Sequence, residues 1–144
     1  MMKLGFFTAA LPNNTLEQAA KWGAESGFQA IEIACWPLEK ATRRYAGVTH
    51  IDVVALDKPK AAEIRKMLDG YGLTISALGY YPNPLHPEAD HRATVVGHLK
   101  KVIEAAASDC SRVPFFNTTI PAAAIPEPEP HSAMQPPTSA ANVA

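Results

Sequence analysis

The sequence of 144 residues contains only two cysteines, Cys35 and Cys110, and has no strong excess of charge of either sign. Two cysteines are too few for a disulfide framework, so a reducing, cytoplasmic setting is the default expectation. The formal net charge of −1 comes without a basic stripe, which argues against nucleic acids and membrane surfaces as partners. No apolar run approaches the roughly 20 residues that a transmembrane helix needs.

Hydrophobic residues make up 47% of the chain, which is enough for the core of one domain. Short apolar runs predict strands, and longer amphipathic segments between them predict helices. The expected strands span 3–9, 30–35, 73–81 and 113–120, and the expected helices span 15–27, 57–72 and 89–107. Strands that alternate with helices indicate βαβ units, so we expect an α/β fold with a parallel sheet.

Local signals support the ends of two of these helices. Thr15 and Gln18 have the spacing of a capping box, and Gly27 follows where the first helix should stop. Asp57 is a suitable N-cap for the second helix, and Gly72 marks its end. The connection between the second strand and this helix, residues 37–56, is expected to be polar.

The composition changes after Ile120. Residues 121–144 are rich in proline and alanine, and their apolar residues follow no helical or strand periodicity. Such a segment cannot bury enough apolar surface to offset its ordering entropy. We therefore predict a folded domain over 1–120 and a disordered tail over 121–144.

The second strand carries a carboxylate in its middle. In an extended chain Ile31 and Ile33 share one face, whereas Glu32, Ala34 and Trp36 share the other. The isoleucines are suited to packing beneath helices. A carboxylate must be paired, hydrated or functional, so the Glu32 face is expected to look into a crevice or a barrel interior.

Three segments resemble a known family: "GFQAIEI" at 27–33, "PNPLHP" at 82–87 and "VPFFNTTI" at 113–120. They are similar to the N-terminal part of sugar-phosphate isomerase/epimerases of the xylose-isomerase-like (β/α)₈ barrel superfamily, which also includes endonuclease IV. The resemblance covers residues 2–119. It implies a barrel truncated to about four βα units, because a complete barrel needs about 250 residues.

The resemblance also implies a substrate and a metal. Complete members would act on a sugar or sugar phosphate and would hold Mn²⁺, Mg²⁺ or Co²⁺ through Glu, Asp, His and Glu from the later strands. In this chain the only acidic residues after position 113 are Glu127 and Glu129, both in the expected tail. We therefore expect that this chain binds no metal, has no catalytic residue and is an incomplete isomerase/epimerase.

Function in such barrels lies at the C-terminal ends of the strands. The candidate substrate-binding residues there are Glu32, Trp36, His50, Tyr81, His86 and Asn117. Glu32 is interpreted either as a partner of a sugar hydroxyl or as a structural carboxylate, and Trp36 either as a wall for a sugar ring or as a packing residue. Glu32, His50 and His86 together could imitate a two-histidine, one-carboxylate metal site, but their spacing gives this no support.

Several alternatives remain at this point. The chain could be a non-enzymatic half-barrel that forms homo-oligomers through its open sheet edges, or an endonuclease IV-like repair protein, which the near-neutral charge disfavours. His91 and His98 on the third helix are interpreted as a solvated flank. Cys35 and Cys110 are expected at opposite ends of the sheet, too far apart for an intramolecular disulfide.

Overall fold

The computed structural model describes residues 2–38 and 47–109. Three strands alternate with three helices: β1 (Gly5–Phe7), α1 (Leu16–Glu25), β2 (Ala30–Ala34), α2 (Lys58–Gly70), β3 (Thr74–Gly79) and α3 (Ala89–Asp109). The prediction of alternating strands and helices is thus confirmed for the first three units. The predicted strand 113–120, the predicted tail and Cys110 lie outside the described residues.

The three strands form one parallel sheet in the order β1-β2-β3. Their C-terminal ends therefore meet at one edge of the sheet. A bulge in β3 shifts the pairing, so that Ile31 lies opposite Ile75 but Glu32 lies opposite Ala77. From there the register continues until Ala34 meets Gly79.

The first strand is shorter than the predicted span 3–9. It ends at Phe7, and Thr8–Ala10 forms a single 3-10 turn. The buried hydroxyl of Thr8 accepts a hydrogen bond of 2.9 Å from the backbone N–H of Ala34. A side chain thus takes the place of a backbone acceptor, which lets the chain leave the sheet early without leaving a buried donor unpaired.

The helix ends follow the predicted signals. Thr15 and Gln18 form a reciprocal capping box at α1, and the Asp57 carboxylate accepts from the N–H of Lys60 at 2.9 Å. Gly27 follows α1 with φ +84°, a conformation that side chains with a Cβ rarely adopt. These caps define where each helix returns the chain to the sheet.

The sheet has two different faces. We call the side that packs against the helices the outer face; Ile31 and Ile33 lie there, fully buried in a cluster with aliphatic residues such as Leu68. The opposite side, the inner face, carries Phe7, Glu32, Ala34 and Gly79. The alternation predicted for β2 is confirmed: Ala34 joins a second, smaller cluster whose neighbours include Phe7 and Trp36.

Two sequence expectations are corrected. His98, interpreted from the sequence as part of a solvated flank, is buried and only 8% exposed. His98 follows Val95 and precedes Val102 at helical spacing, so it lies within the apolar stripe and not on a solvated flank. The connection predicted to be polar buries Val48, along with Ile51 and Val53, against the sheet. None of the helices in the two described ranges is long and apolar enough to cross a membrane.

Candidate functional site

Glu32 lies half-buried on the inner face, near the C-terminal edge of the sheet. Its Oε1 atom accepts a hydrogen bond from the hydroxyl of Tyr81, which follows β3. The bulge in β3 places Gly79 opposite Ala34, and Tyr81 follows two residues later. Tyr81 therefore lies on the same side of the sheet as Glu32. Two of the predicted site residues are thus in direct contact.

Three aromatic rings surround this contact. The ring centroids of Phe7, Trp36 and Tyr81 are 6.1 Å (Phe7–Trp36), 5.8 Å (Phe7–Tyr81) and 6.0 Å (Trp36–Tyr81) apart. Their planes are inclined to one another by 41° to 74°, so the rings do not stack in parallel. We call these three rings the aromatic triangle. The aromatic triangle places apolar ring surface beside the Glu32 carboxylate at the C-terminal edge of the sheet.

Gly79 makes this arrangement possible. A Cβ at this position would lie 2.7 Å from Glu32 Oε1 and 2.7 Å from Cε2 of Phe7. Both distances are shorter than van der Waals contact, so any larger residue would displace the carboxylate or the ring. Gly79 was not among the predicted site residues; its pairing with Ala34 depends on the bulge, which the sequence does not reveal.

The phenol of Tyr81 has an altered acidity. Burial of its hydroxyl, followed by its hydrogen bond to Glu32 and the charge of that carboxylate, raises the pKa of Tyr81 to about 12. The tyrosine as a whole is 65% exposed, so water screens part of this electrostatic effect. At neutral pH Tyr81 is therefore a protonated hydrogen-bond donor.

The backbone around Trp36 is tied to the loop that follows it. The hydroxyl of Thr49 donates to the Trp36 carbonyl at 2.5 Å, and Cys35 and Thr49 form an antiparallel bridge. The N–H of His50 donates to the carbonyl of Ala34 at 2.9 Å. The loop thus fixes the segment that carries the indole at the end of β2.

A second tether comes from α3. The ring nitrogen Nε2 of His98 lies 2.8 Å from the Cys35 carbonyl, and its ring lies 4.5 Å from that of Tyr80. Tyr80 in turn contacts Trp36, with ring centroids 5.7 Å apart. His98 therefore joins the helix to the end of β2 and supports the indole through Tyr80. The position of His98 in the apolar stripe of Val95 and Val102 was the sequence signal that could have predicted its burial.

His50 is not brought to Glu32. Its Nε2 atom lies 3.0 Å from the carbonyl of Asn14, whereas its buried Nδ1 atom has no hydrogen-bond partner among the residues that the structure describes. Burial lowers the pKa of His50, although hydrogen bonds to the backbone of Asn14 and Leu11 act in the opposite direction. The side chain joins the loop after β2 to the start of α1, which is a structural role.

His86 has local partners. Its Nδ1 atom accepts from the N–H of Glu88 at 3.2 Å, its carbonyl accepts from Arg92 at 2.7 Å, and its ring lies 4.3 Å from that of His91. These contacts organise the loop between β3 and α3. Asn117, the last predicted site residue, lies outside the described residues.

The described residues do not fit a divalent metal. Within residues 2–38 and 47–109, no three His, Cys, Asp or Glu side chains come together as a possible metal-binding group. Glu32, His50 and His86 each have the separate partners given above, so they do not form the two-histidine, one-carboxylate arrangement. We therefore derive no chemical step that passes through a metal at this site.

Comparison with known families matches residues 20–131 to the xylose isomerase-like TIM barrel. The chain belongs to this family. The match covers part of a domain and includes β2, α2, β3 and α3, which agrees with the parallel strands that alternate with helices. No curated protein matches the chain.

Proposed function

We propose that this xylose isomerase-like chain binds a sugar or sugar phosphate at the C-terminal edge of its sheet. The observation that carries the proposal is the Glu32 carboxylate, which accepts from Tyr81 within the aromatic triangle. A sugar presents both hydroxyl donors and an apolar C–H face. The site presents a matching acceptor and matching ring surface.

Each side chain has a definite part in this binding. Glu32 accepts a hydrogen bond from a sugar hydroxyl, because a carboxylate has about four acceptor positions and Tyr81 uses one of them. Trp36 supplies apolar surface to the C–H face of the ring. Tyr81, protonated at neutral pH, holds the carboxylate in place. The proposed contact with the C–H face adopts the interpretation of Trp36 as a wall for a sugar ring over that of a packing residue.

Turnover is not part of the proposal for this chain. An isomerase or epimerase moves a proton between carbons next to a carbonyl, which requires a base at the reacting carbon and stabilisation of the charge on oxygen. Glu32 contacts Tyr81, and in the described residues it belongs to no group of three His, Cys, Asp or Glu side chains. We therefore propose binding by this chain without isomerase activity.

The two tryptophans allow a direct test. Trp36 belongs to the site, whereas Trp22 lies on α1 against Phe6, with ring centroids 5.3 Å apart. The Trp22→Phe variant retains only Trp36 as a reporter, and Trp36→Phe retains only Trp22. Adding ketoses, aldoses or their phosphates should change the fluorescence of the first variant and leave the second unchanged. Equal responses from both, or none from either, would contradict sugar binding at this site.

An activity assay tests the second half of the proposal. The purified chain, supplied with Mn²⁺, Mg²⁺ or Co²⁺, is expected to leave ketoses and their phosphates unchanged. An oligonucleotide with an abasic site is the matched substrate for the endonuclease IV-like alternative and should also remain intact. Sugar turnover that is lost in Glu32→Gln would show that this chain suffices for catalysis.

Self-association is a second candidate function. Within the described sheet β1 and β3 each pair on one side only, so each has an open edge that can pair with another chain. We propose a homo-oligomer formed through these edges, measurable by sedimentation over a range of concentrations. Ser76 is an exposed residue of β3, so Ser76→Lys places a charge on that strand and should weaken association. Ala93 is an exposed residue of α3, and Ala93→Lys should leave association unchanged. A monomer at every concentration would contradict this.

A further inference from the structure

Among the side chains of residues 2–38 and 47–109, none with a positive charge forms an ion pair with the Glu32 carboxylate. Its hydrogen bond comes from the neutral phenol of Tyr81, and in the part of the chain that the structure describes the one ion pair joins Lys21 to Glu25 on α1. Lys3 donates instead to the hydroxyl of Thr74 at 2.7 Å. A half-buried carboxylate without a cation is a site where a positively charged ligand gains energy.

The aromatic triangle adds to the same negative potential. The face of an aromatic ring is negative and attracts cations that lie within about 6 Å of its centroid. The three ring planes are inclined to one another by 41° to 74°, so a cation beside Glu32 can lie over the face of one of these rings and not over all three at once. The rings thus favour the same kind of ligand as Glu32.

We propose that this site prefers a polyol that carries a protonated amine, namely an amino sugar or aminopolyol, over the neutral sugar of the same shape. The inference rests on the proposed sugar-binding function and narrows its substrate class. The ammonium donates to the oxygen of Glu32 that Tyr81 leaves free and lies against the aromatic triangle, while the apolar side of the sugar covers Trp36.

Burial is the largest cause of the raised pKa of Tyr81, about 12, and the hydrogen bond to Glu32 and the charge of that carboxylate add to it. The Glu32 charge that opposes a phenolate also opposes a phosphate and favours an ammonium. A phosphate attached near the amine should therefore weaken binding, and salt should weaken the binding of the amine by screening its charge. A neutral sugar should respond little to salt.

The experiment compares three ligands by Trp36 fluorescence in the Trp22→Phe chain. Glucosamine carries the amine, glucose has a hydroxyl in its place, and N-acetylglucosamine has a neutral amide. At a pH below the amine pKa, glucosamine should bind about tenfold more tightly than either neutral sugar, as expected for a charge-assisted hydrogen bond with cation–π contacts. In the added variant Glu32→Gln the three affinities should become equal.

Equal affinities of the three sugars for the unaltered site would overturn the amine preference and leave sugar binding intact. A preference that survives in Glu32→Gln would overturn the role assigned to the carboxylate. Tetramethylammonium distinguishes the remaining case: if it binds in a Glu32-dependent way while no sugar does, the cation site stands and the sugar-binding function fails. If Glu32→Gln does not fold, the ratio of glucosamine to N-acetylglucosamine affinity in the unaltered chain still decides.

Discussion

The two faces of the sheet are built from different kinds of residues. On the outer face Ile31 and Ile33 are fully buried among the aliphatic side chains of the helices. On the inner face small residues, Ala34 and Gly79, lie beside the carboxylate of Glu32 and the aromatic triangle. The outer face packs against the helices, whereas the inner face places a carboxylate among aromatic rings at the ends of the strands.

This difference predicts that substitutions at neighbouring residues affect different properties of the protein. Ile33 and Glu32 are adjacent in β2, but their side chains point to opposite faces. A change at Ile33 should alter the free energy of unfolding and leave ligand preference intact, because the isoleucine contacts the helix-covered core. A change at Glu32 should alter ligand preference and leave the free energy of unfolding nearly unchanged.

The largest expected effect is therefore that of Ile33→Ala. Removing a fully buried isoleucine side chain should lower the free energy of unfolding by about 2–5 kcal/mol. Glu32→Gln is the matched control and should change it by less than about 1 kcal/mol, because the amide oxygen still accepts from Tyr81. Urea unfolding of both variants measures the difference; similar losses would show that the two faces contribute alike.

The next effect concerns the tether between the outer helices and the inner site. His98→Ala removes the contact of the imidazole with the Cys35 carbonyl together with a buried side chain, and should cost about 1–3 kcal/mol of unfolding free energy. It should also change the Trp36 emission in a Trp22→Phe background, because Tyr80 loses its support.

His91→Ala on the exposed side of the same helix is the control for His98 and should leave both quantities nearly unchanged. Loss of stability without a change in Trp36 emission or in sugar affinity would reduce His98 to a packing residue.

Sequence periodicity was sufficient for the outer face. The capping box of Thr15 and Gln18 and the burial of Ile31 and Ile33 depend on local spacing, which is visible in one chain segment at a time. His98 was misjudged because histidine was weighed as a polar residue, although its position in the apolar stripe of α3 predicted burial.

The inner site was only partly predictable. Alternation along β2 correctly placed Glu32 opposite the isoleucines, but its contact with Tyr81 depends on another strand. The bulge in β3 moves Gly79, and not Leu78, opposite Ala34. A shift of one residue exchanges the two faces of a strand, so the glycine beside Glu32 could not be foreseen without the register.

A smaller effect is expected when a methyl group is added at Gly79 on the inner face. Gly79→Ala places a methyl group 2.7 Å from Glu32 Oε1 and from Phe7 Cε2, so one of them must move. We expect a loss of about 1–3 kcal/mol in unfolding free energy and weaker sugar binding. Gly97→Ala, in α3 with no atom within 4 Å of the added Cβ, should instead stabilise by about 0.5–1 kcal/mol. Stabilisation of both variants would show that the inner face accommodates the added methyl group.

The smallest effect is a pH dependence at the inner site. Because the folded pKa of Tyr81 is raised from 10.0 to about 12, the folded state holds this proton more tightly than the unfolded state. The resulting stabilisation is fully present below pH 10 and is lost as the pH rises towards 12, and Tyr81→Phe should remove this part of the pH dependence. In Glu32→Gln the pKa should fall only part of the way to 10, because burial is the largest cause and the carboxylate the smaller one. Phenolate absorbance, compared with that of Tyr81→Phe, measures the titration; a return to the ordinary pKa in Glu32→Gln would show that the carboxylate charge dominates instead.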